Sequence, residues 1–381
     1  MKSSASFLKH ASDVSAFYGF RPIREIEKET PPRAGGLPRR RTLLHTFMSA
    51  AQVCAVRAAA PPGEPVLAFY ATPTPEHAPF PLPARETGEF GLQVVGSGES
   101  MGEVLLLKTL AMIAQEWGVK PHAVRLNALG DRDSQQRFMR ELAMYVRKQA
   151  DRLDPSYRDE VIKNPLTLYY HRDESCLAIM AEAPRPTHFL SEKSRLHFRS
   201  VLEHVEHLGL SYELDNTLVG DDRGAHTLFA LDFGADETTI LACMGGRYDE
   251  YLRRETRQKE SAGVCASIYF RKSGLKPNIY ATERRAHKPK IYFAQLGARA
   301  KLQGLAVIDM LRVARVPAWQ SFNTTHLSVQ LAAAREKGVS HLLIMGQREA
   351  IDGTIIVRSM QNSSQMTLTL TEIPRFLKSL R

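Results

Sequence analysis

Residues 226–249, HTLFALDFGADETTILACMGGRYD, decide the fold class of this chain. They predict strands over 226–233 and 238–243, with the pair Gly245-Gly246 closing the second strand. Another short strand is predicted near 211–214. Strands that succeed one another with no helix between them are typical of an antiparallel α+β domain and not of a doubly wound sheet.

Upstream of this segment, strand and helix patterns alternate. Residues 65–70 (PVLAFY) and 90–97 (FGLQVVGS) predict an antiparallel strand pair, joined by a long proline-dense connection. A helix is predicted over 101–117, where apolar residues recur with helical spacing after a candidate capping box of Ser100 and Glu103. The other predicted elements are a strand at 123–129 and helices at about 133–152 and 191–208.

A change of pattern divides the chain into two domains. Residues 275–289 are polar, basic and bounded by prolines, which favours a linker between domain 1–274 and domain 290–381. Beyond this linker strands and helices alternate regularly, so a small sheet between helices is expected. The elements predicted there are strands 290–296, 317–322, 341–346 and 353–360 and helices 298–315, 325–337 and 371–380.

The composition is that of an ordinary globular protein. Of the 381 residues 43% are hydrophobic and 24% are charged, and no window approaches the run of about 20 apolar residues that crosses a bilayer. Residues 1–30 contain no signal-peptide core, so we expect a cytoplasmic protein with no membrane span. The net charge of +10 permits an anionic partner such as nucleic acid but does not demonstrate one.

The four cysteines are too far apart to form a C-x-x-C pair; they are Cys54, Cys176, Cys243 and Cys265. Their spacing encodes neither a zinc knuckle nor a disulfide framework. We therefore expect buried free thiols and no metal site built by the cysteines.

Several short blocks, in one order along the chain, resemble histidyl-tRNA synthetases, which are class II aminoacyl-tRNA synthetases. The blocks are LNALGD (126–131), KNPL (163–166), LGLSYEL (208–214), GGRYD (245–249), AQLG (294–297) and MGQREAIDGTII (345–356). The resemblance implies a class II α+β fold, an antiparallel sheet with flanking helices, followed by an α/β anticodon-binding-type domain. It also implies a homodimer, histidine tRNA and not DNA as the partner, and ATP with Mg²⁺ as cofactors if the chain is active.

Amino-acid activation requires positive charge on the α-phosphate of ATP, where charge builds during in-line displacement. In the resembling family an arginine of motif 2 contributes this charge, but Glu76 stands at that position when residues 65–70 are aligned with the preceding strand. Arg85 resembles the second arginine of the same loop, and Glu89 stands at the glutamine of the family's F-H-Q. The family's R-P-E-x-T, whose glutamate holds the substrate amino group, falls on residues 48–52 (MSAAQ), which contain no carboxylate.

Two further motifs are eroded unequally. In the segment that resembles the family's L-V-R-G-L-D-Y-Y, Gly220 stands where the family has its arginine. Arg223 is the basic residue that remains nearby. The last motif retains its arginine as Arg271. The resemblance therefore leaves Arg271, Arg85 and Arg223 as the candidate catalytic residues.

We expect a second set of residues to line a pocket for substrate and ATP, namely Glu89, Gly245, Gly246, Arg247 and Tyr248. Gly245, Gly246 and Arg247 would shape the floor of this pocket. An equally open interpretation is structural. In that case the two glycines allow close packing at a strand end, and Arg247 and Asp249 are satisfied locally.

The C-terminal domain keeps the family pattern. Recognition of single-stranded RNA loops uses base stacking, polar contacts to base edges and cationic contacts to phosphate. The residues that the resemblance assigns to this task are Asn323, Gln330, Arg335, Gln347, Arg348 and Glu349. A role in packing or dimerisation is the alternative.

The sequence therefore favours a histidyl-tRNA synthetase-like protein that binds tRNA, or a synthetase partner, with impaired or lost histidine activation. One alternative is an active but divergent histidine–tRNA ligase, in which Arg85, Arg223 and Arg271 carry the phosphate chemistry. Another is a histidine-sensing regulatory subunit, although the family's regulatory subunit of ATP phosphoribosyltransferase lacks this kind of C-terminal domain.

Overall fold

The computed structural model describes residues 4–28, 65–72, 86–220, 225–233, 240–257, 259, 261–272, 289–321 and 326–379. A mixed eight-stranded sheet organises the N-terminal part. Its strands are β1 (Arg21–Pro22), β2 (Val66–Thr72), β3 (Thr87–Val95), β4 (Ala123–Ala128), β5 (Tyr212–Leu214), β6 (Thr227–Asp232), β7 (Ile240–Arg247) and β8 (Gly263–Arg271). Their order is β1-β2-β3-β8-β7-β6-β4-β5, and only the outer pairs β1–β2 and β4–β5 are parallel. The expected antiparallel α+β architecture is thus confirmed for the six central strands.

Helices flank this sheet. They are α1 (Ser4–Phe17), α2 (Ile23–Lys28), α3 (Met101–Trp117), α4 (Arg132–Lys148), α5 (Arg158–Lys163), α6 (Glu174–Glu182), α7 (Glu192–His207) and α8 (Asp249–Thr256), with 3-10 turns at Ala150–Arg152, Pro165–Tyr170 and Pro186–Phe189. The predicted helix at 101–117 is confirmed as α3, which is buried along most of its length. Its predicted capping box is wrong, because the Ser100 side chain makes no capping hydrogen bond.

The prediction that Gly245-Gly246 close a strand is also wrong. β7 runs on through both glycines to Arg247, and Gly245 and Gly246 pair with Ala266 and Cys265 of β8. Hydrogen bonding to two neighbouring strands outweighs the low intrinsic strand preference of glycine here. None of the described helices is both long enough and apolar enough to cross a membrane.

A five-stranded sheet organises the C-terminal part. Its strands are β9 (Ile291–Gln295), β10 (Ala318–Gln320), β11 (His341–Met345), β12 (Thr354–Ser359) and β13 (Gln365–Thr369), and its helices are α9 (Ala298–Val313), α10 (Leu327–Lys337), α11 (Gln347–Asp352) and α12 (Ile373–Ser379). The strand order is β10-β9-β11-β12-β13; the first three are parallel and the last two antiparallel to their neighbours. The alternating elements predicted from sequence are confirmed, whereas β13 and α11 were not predicted.

One hydrophobic core joins the two sheets. Helix α1 packs against both α3 and α9, and its Phe7 belongs to the same buried cluster as Phe293 of β9 and Leu305 of α9. Polar contacts reinforce the junction: the Tyr18 hydroxyl donates to Asp309, and Lys108 Nζ lies 2.7 Å from Asp309 Oδ2. The predicted linker falls almost wholly outside the described residues, so its role stays a prediction.

We expect the two sheets to unfold together because they share this core. The chain contains two tryptophans, Trp117 in α3 and Trp319 in β10. The variant Trp319→Phe keeps Trp117 as the probe of the larger sheet, and Trp117→Phe keeps Trp319 as the probe of the smaller one. Urea unfolding followed by fluorescence should give coincident midpoints. Added to each single-tryptophan variant, Asp309→Ala should lower both unfolding free energies alike, by about 1–3 kcal/mol, because it removes the partner of Tyr18 and Lys108.

Asp352→Ala is the matched control, because Asp352 is an exposed partner of Arg348. It should change the unfolding free energy by less than about 0.5 kcal/mol. Separate midpoints for the two tryptophans would contradict the shared core.

Candidate functional site

One face of the larger sheet carries polar side chains at its centre. Glu89, Gln93, Ser267 and Tyr269 alternate with core residues along β3 and β8, and Tyr70 lies beside them on β2. Because side chains project to opposite faces with a period of two, these five residues share the face away from α3. We call them the polar face. All five are buried, with exposed fractions from 0% for Gln93 to 8% for Tyr70.

The Glu89 carboxylate lies at the middle of the polar face. It accepts hydrogen bonds from the Tyr70 hydroxyl and from Ser267 Oγ, both at 2.6 Å. The Tyr70 ring covers Gly91, where any added Cβ would overlap the ring atoms. Glu89, which we predicted to line a substrate pocket, is therefore already hydrogen-bonded to two hydroxyl groups. The Tyr70 ring can take this position only because residue 91 is a glycine.

Arg271, the candidate catalytic arginine, ends β8 at the rim of the polar face. It pairs in register with Thr87, is exposed, and alternation places it on the same face as Ser267 and Tyr269. Its carbonyl oxygen accepts a hydrogen bond from Ser4 Oγ at 3.1 Å. Among the described residues of β2, β3, β6, β7 and β8, Arg271 is the only basic side chain on this face.

Arg247, which we predicted to shape the pocket floor, lies on the opposite face of the sheet. Its side chain is 1% exposed and points to α3, where Nε and Nη2 donate to the two Glu103 carboxylate oxygens at 2.7 and 2.5 Å. Its other N–H groups donate to the Ser97 and Glu99 carbonyls, both at 2.8 Å, and to Asp249 Oδ1 at 3.3 Å. All five guanidinium N–H groups are thus used. The prediction of a pocket role for Arg247 is wrong, because this buried network leaves no donor for a ligand.

Glu103 is the anionic centre of this network. Burial alone would raise the pKa of Glu103, but the charge and hydrogen bonds of Arg247, with a hydrogen bond from His197, hold that pKa well below its usual range. His197 Nε2 lies 2.8 Å from Glu103 Oε1 and its ring is 5.0 Å from that of His226. Burial, with the nearby charge of His197, lowers the pKa of His226 to about 4. The network keeps Glu103 and Arg247 charged and His226 neutral near pH 7.

The glycines of the G-G-R-Y-D block permit close approach of strands. A Cβ on Gly245 would overlap the Cys265 carbonyl and the Phe229 ring, and one on Gly246 would lie 2.7 Å from the Thr227 carbonyl oxygen. Tyr248, 9% exposed, donates its N–H to the Gly263 carbonyl at 2.8 Å. These contacts favour the structural interpretation of the block over the pocket interpretation.

Two residues assigned to RNA binding have structural roles in the C-terminal domain. Gln330 is 1% exposed, and its amide bonds the main-chain N–H and C=O of Gln295 at 3.2 and 3.0 Å. The Glu349 carboxylate accepts the Gly346 N–H at 2.9 Å and so caps α11. These contacts favour the packing alternative for Gln330, whose RNA role stays a prediction, and Glu349 has its carboxylate engaged in the cap.

The remaining basic candidates lie at different ends of the sheet. Parallel strands β9 and β11 end at the same edge, where α9 and α11 begin, and each helix has an exposed arginine in its first turn: Arg299 and Arg348. Gln347 is exposed beside Arg348. Helix α10 runs back across the sheet, so Arg335 in its last turn lies toward the opposite edge. Sequence reasoning missed Arg299, although it lies only two residues beyond the AQLG block.

The described part of the chain does not include residues 48–52, Glu76, Arg85, Arg223 or Asn323. Their proposed roles stay predictions. Three cysteines, Cys176, Cys243 and Cys265, are free and buried as predicted, and Cys54 lies outside the described residues.

Comparison with known proteins adds independent findings. A family profile described as an anticodon binding domain matches residues 305–380. The histidine–tRNA ligase of Synechococcus elongatus is 30% identical over 297 residues, covering 76% of this chain and 66% of that protein. The corresponding ligase of Thermosynechococcus vestitus is 28% identical over 294 residues, covering 76% and 67%. This chain thus spans about two thirds of the length of these relatives.

A solved structure supports the fold. The apo histidyl-tRNA synthetase of S. aureus superposes with a TM-score of 0.50 at 18% identity, over 98% of this chain and 95% of that one. At this identity the likeness shows a shared fold and no more.

We expect Glu103→Gln to lower the free energy of unfolding by about 3–5 kcal/mol, because it removes the main counter-charge of the buried Arg247 and leaves only the longer contact with Asp249, at 3.3 Å. Urea denaturation at pH 7 measures this change. Glu203→Gln is the matched control, since the Glu203 side chain is 59% exposed and its partner Arg199 is exposed as well. Equal effects of the two substitutions would show that the ion pair is not the anchor.

Proposed function

Because this chain belongs to the histidyl-tRNA synthetase family, we propose that it binds tRNA, or a synthetase partner, through its C-terminal domain and has impaired or lost histidine activation. The observation that carries this proposal is a contrast within the chain. An anticodon-binding-type domain with exposed arginines at one edge is joined to a polar face that has a carboxylate at its centre and one basic side chain at its rim.

The proposed loss of activation follows from charge. Histidyl-tRNA synthetases use ATP and Mg²⁺, and the displacement at the α-phosphate is favoured by several cations. Among the described residues of β2, β3, β6, β7 and β8, only Arg271 offers a basic side chain on this face, and the Glu89 carboxylate would repel a phosphate group. Arg125 of β4 lies on the same face, but it is paired with Asp215 at 2.9 Å. These residues fit a triphosphate poorly, so no activation step is assigned to them.

Burial supports the same proposal. Small-molecule sites are concave clefts with a few polar groups that converge on the ligand. Here the five side chains of the polar face are buried, and the Glu89 carboxylate accepts hydrogen bonds from the Tyr70 and Ser267 hydroxyls. A ligand at this position would have to displace Tyr70 from Gly91.

The proposed RNA-binding edge is formed where β9, β10 and β11 end. Ligands of open α/β sheets bind beyond the carboxyl ends of the parallel strands, which here is the edge with Arg299 and Arg348. The Arg348 side chain is 87% exposed, and its contact with Asp352, at 3.5 Å, is a weak surface pair. Both arginines are thus available to phosphate. Histidine tRNA is the proposed partner, and the homodimer that the family implies belongs to the same proposal.

One observation favours an active, divergent ligase as the second candidate. Arg271 is present at the rim of the polar face, at the position where the family's last motif has its arginine. Activity would then require Arg85 and Arg223 to supply the remaining positive charge.

We expect the purified chain to show no histidine-dependent exchange of pyrophosphate into ATP above a no-enzyme background. Glu76→Arg restores the motif 2 arginine but leaves Glu89 and Gly220 unchanged, so this variant should also be inactive. An active histidyl-tRNA synthetase from another source is the positive control. Exchange by the native chain that is lost in Arg271→Ala would establish the second candidate instead.

Binding of histidine tRNA should be salt-sensitive and should depend on the proposed edge. We expect Arg299→Ala and Arg348→Ala each to weaken binding about 3–10-fold and to reduce the slope of log affinity against log salt by about 0.7–0.9. Filter binding at several salt concentrations measures both quantities. Arg335→Ala, at the opposite edge, is the matched control and should have a smaller effect; an equal loss would move the interface, and no tRNA binding at all would overturn the proposal.

A further inference from the structure

Strand β13 is an unprotected edge of the five-stranded sheet. Within the described part of the chain, it pairs only with β12. Gln365, Met366, Thr367 and Thr369 are exposed. Residues 359–371 contain no charged residue and no proline, although 24% of the whole chain is charged. Free strand edges are normally protected by charges, prolines or bulges, because they pair readily with other strands.

The hydrogen bonds identify which main-chain groups of β13 are open. Leu370 N–H donates to the Gly353 carbonyl and Ser359 N–H to the Ser364 carbonyl, both at 3.0 Å, so even-numbered residues bond β12. The N–H and C=O groups of odd-numbered residues therefore point outward. The Thr369 N–H is already taken by Glu372 Oε2 at 2.8 Å. The open donor and acceptor pairs are those of Gln365 and Thr367.

We propose that this edge pairs with the same edge of a second copy of the chain. The two β13 strands run antiparallel about a two-fold axis, with Gln365 opposite Thr367 of the partner subunit. Each such pair exchanges two main-chain hydrogen bonds, so the two symmetric pairs form four. Met366 then lies directly opposite Met366 of the partner subunit, in a position where side chains approach closely.

Three features favour a second copy as the occupant. An uncharged edge brings no like charges together in a symmetric pairing. Met366 is 53% exposed, and its counterpart in the partner would cover it. Because Glu372 already binds the Thr369 N–H, pairing is restricted to residues 365–367. A two-fold axis at Met366 places this segment opposite the same segment of a second copy. The contact is small, so the association is weak and visible only at high protein concentration.

Thr367→Pro tests the pairing without disturbing the fold. The Thr367 N–H faces away from β12, so proline removes an outward donor and leaves the β12–β13 hydrogen bonds intact. At roughly 200 µM protein, a concentration chosen for a Kd in the micromolar range, we expect light scattering to give the native chain about twice the mass of Thr367→Pro. If a separate family-type dimer also forms, pairing of β13 joins those dimers further, so the native chain again has the larger mass.

Thr367→Ser is the matched control, because it keeps the N–H and should associate like the native chain. Thermal unfolding of both variants checks that the fold is kept. Equal masses for native and Thr367→Pro chains, with both folded, overturn the proposal.

A cysteine pair tests the register independently. Met366→Cys places a thiol opposite its own counterpart, so mild oxidation should give a disulfide-linked dimer on a non-reducing gel. Met144→Cys is the control, since Met144 is similarly exposed, at 42%, on α4. The native chain, treated alike, controls for the other cysteines. Cross-linking no faster than in Met144→Cys would rule out this register and leave the edge to a strand of a different protein.

Discussion

The buried ion pair between Arg247 and Glu103 is the constraint on which the larger sheet depends. It ties β7 to α3 across the helix-covered face, and through the Ser97 and Glu99 carbonyls it also fixes the turn between β3 and α3. Breaking such a pair is far more costly than never having formed it, because one charge is left buried without a partner. This explains how the chain can retain the G-G-R-Y-D block of its family whether or not it retains the phosphate chemistry. The block holds the sheet together independently of any substrate.

The two faces of that sheet accordingly carry different kinds of side chain. The face toward α3 contains the ion pair and the core, whereas the opposite face contains Glu89, held between Tyr70 and Ser267. A carboxylate at the centre of the face is compatible with a stable fold, since its hydrogen bonds are supplied by its neighbours. It is poorly compatible with binding a triphosphate. The ion pair and the polar face are thus built from different residues, so a change in one of them need not disturb the other.

Much of the fold was predictable from the sequence, because periodic burial leaves a clear pattern. Helix 101–117 and the regular alternation beyond residue 290 are examples. The site was less predictable, for physical reasons. Arg247 and Gln330 have side chains typical of ligand-binding residues, but their partners, Glu103 and Gln295, are brought to them by tertiary packing. Strand β13 was missed because an exposed edge needs few apolar residues, and Arg299 because a lone arginine has no pattern of its own.

The position of α1 has a consequence for how the chain reaches this structure. Its apolar side packs on a core that includes β9 and α9, some 280 residues further along the sequence. At synthesis rates of about 5–20 residues per second, that surface is exposed for roughly 15–60 seconds before its full set of partners exists. Contacts so distant in sequence also make loop closure slow. Helix α1, the first of the described helices, is thus among the last to be completely buried, and the nascent chain is most vulnerable to aggregation before β9 and α9 have been translated.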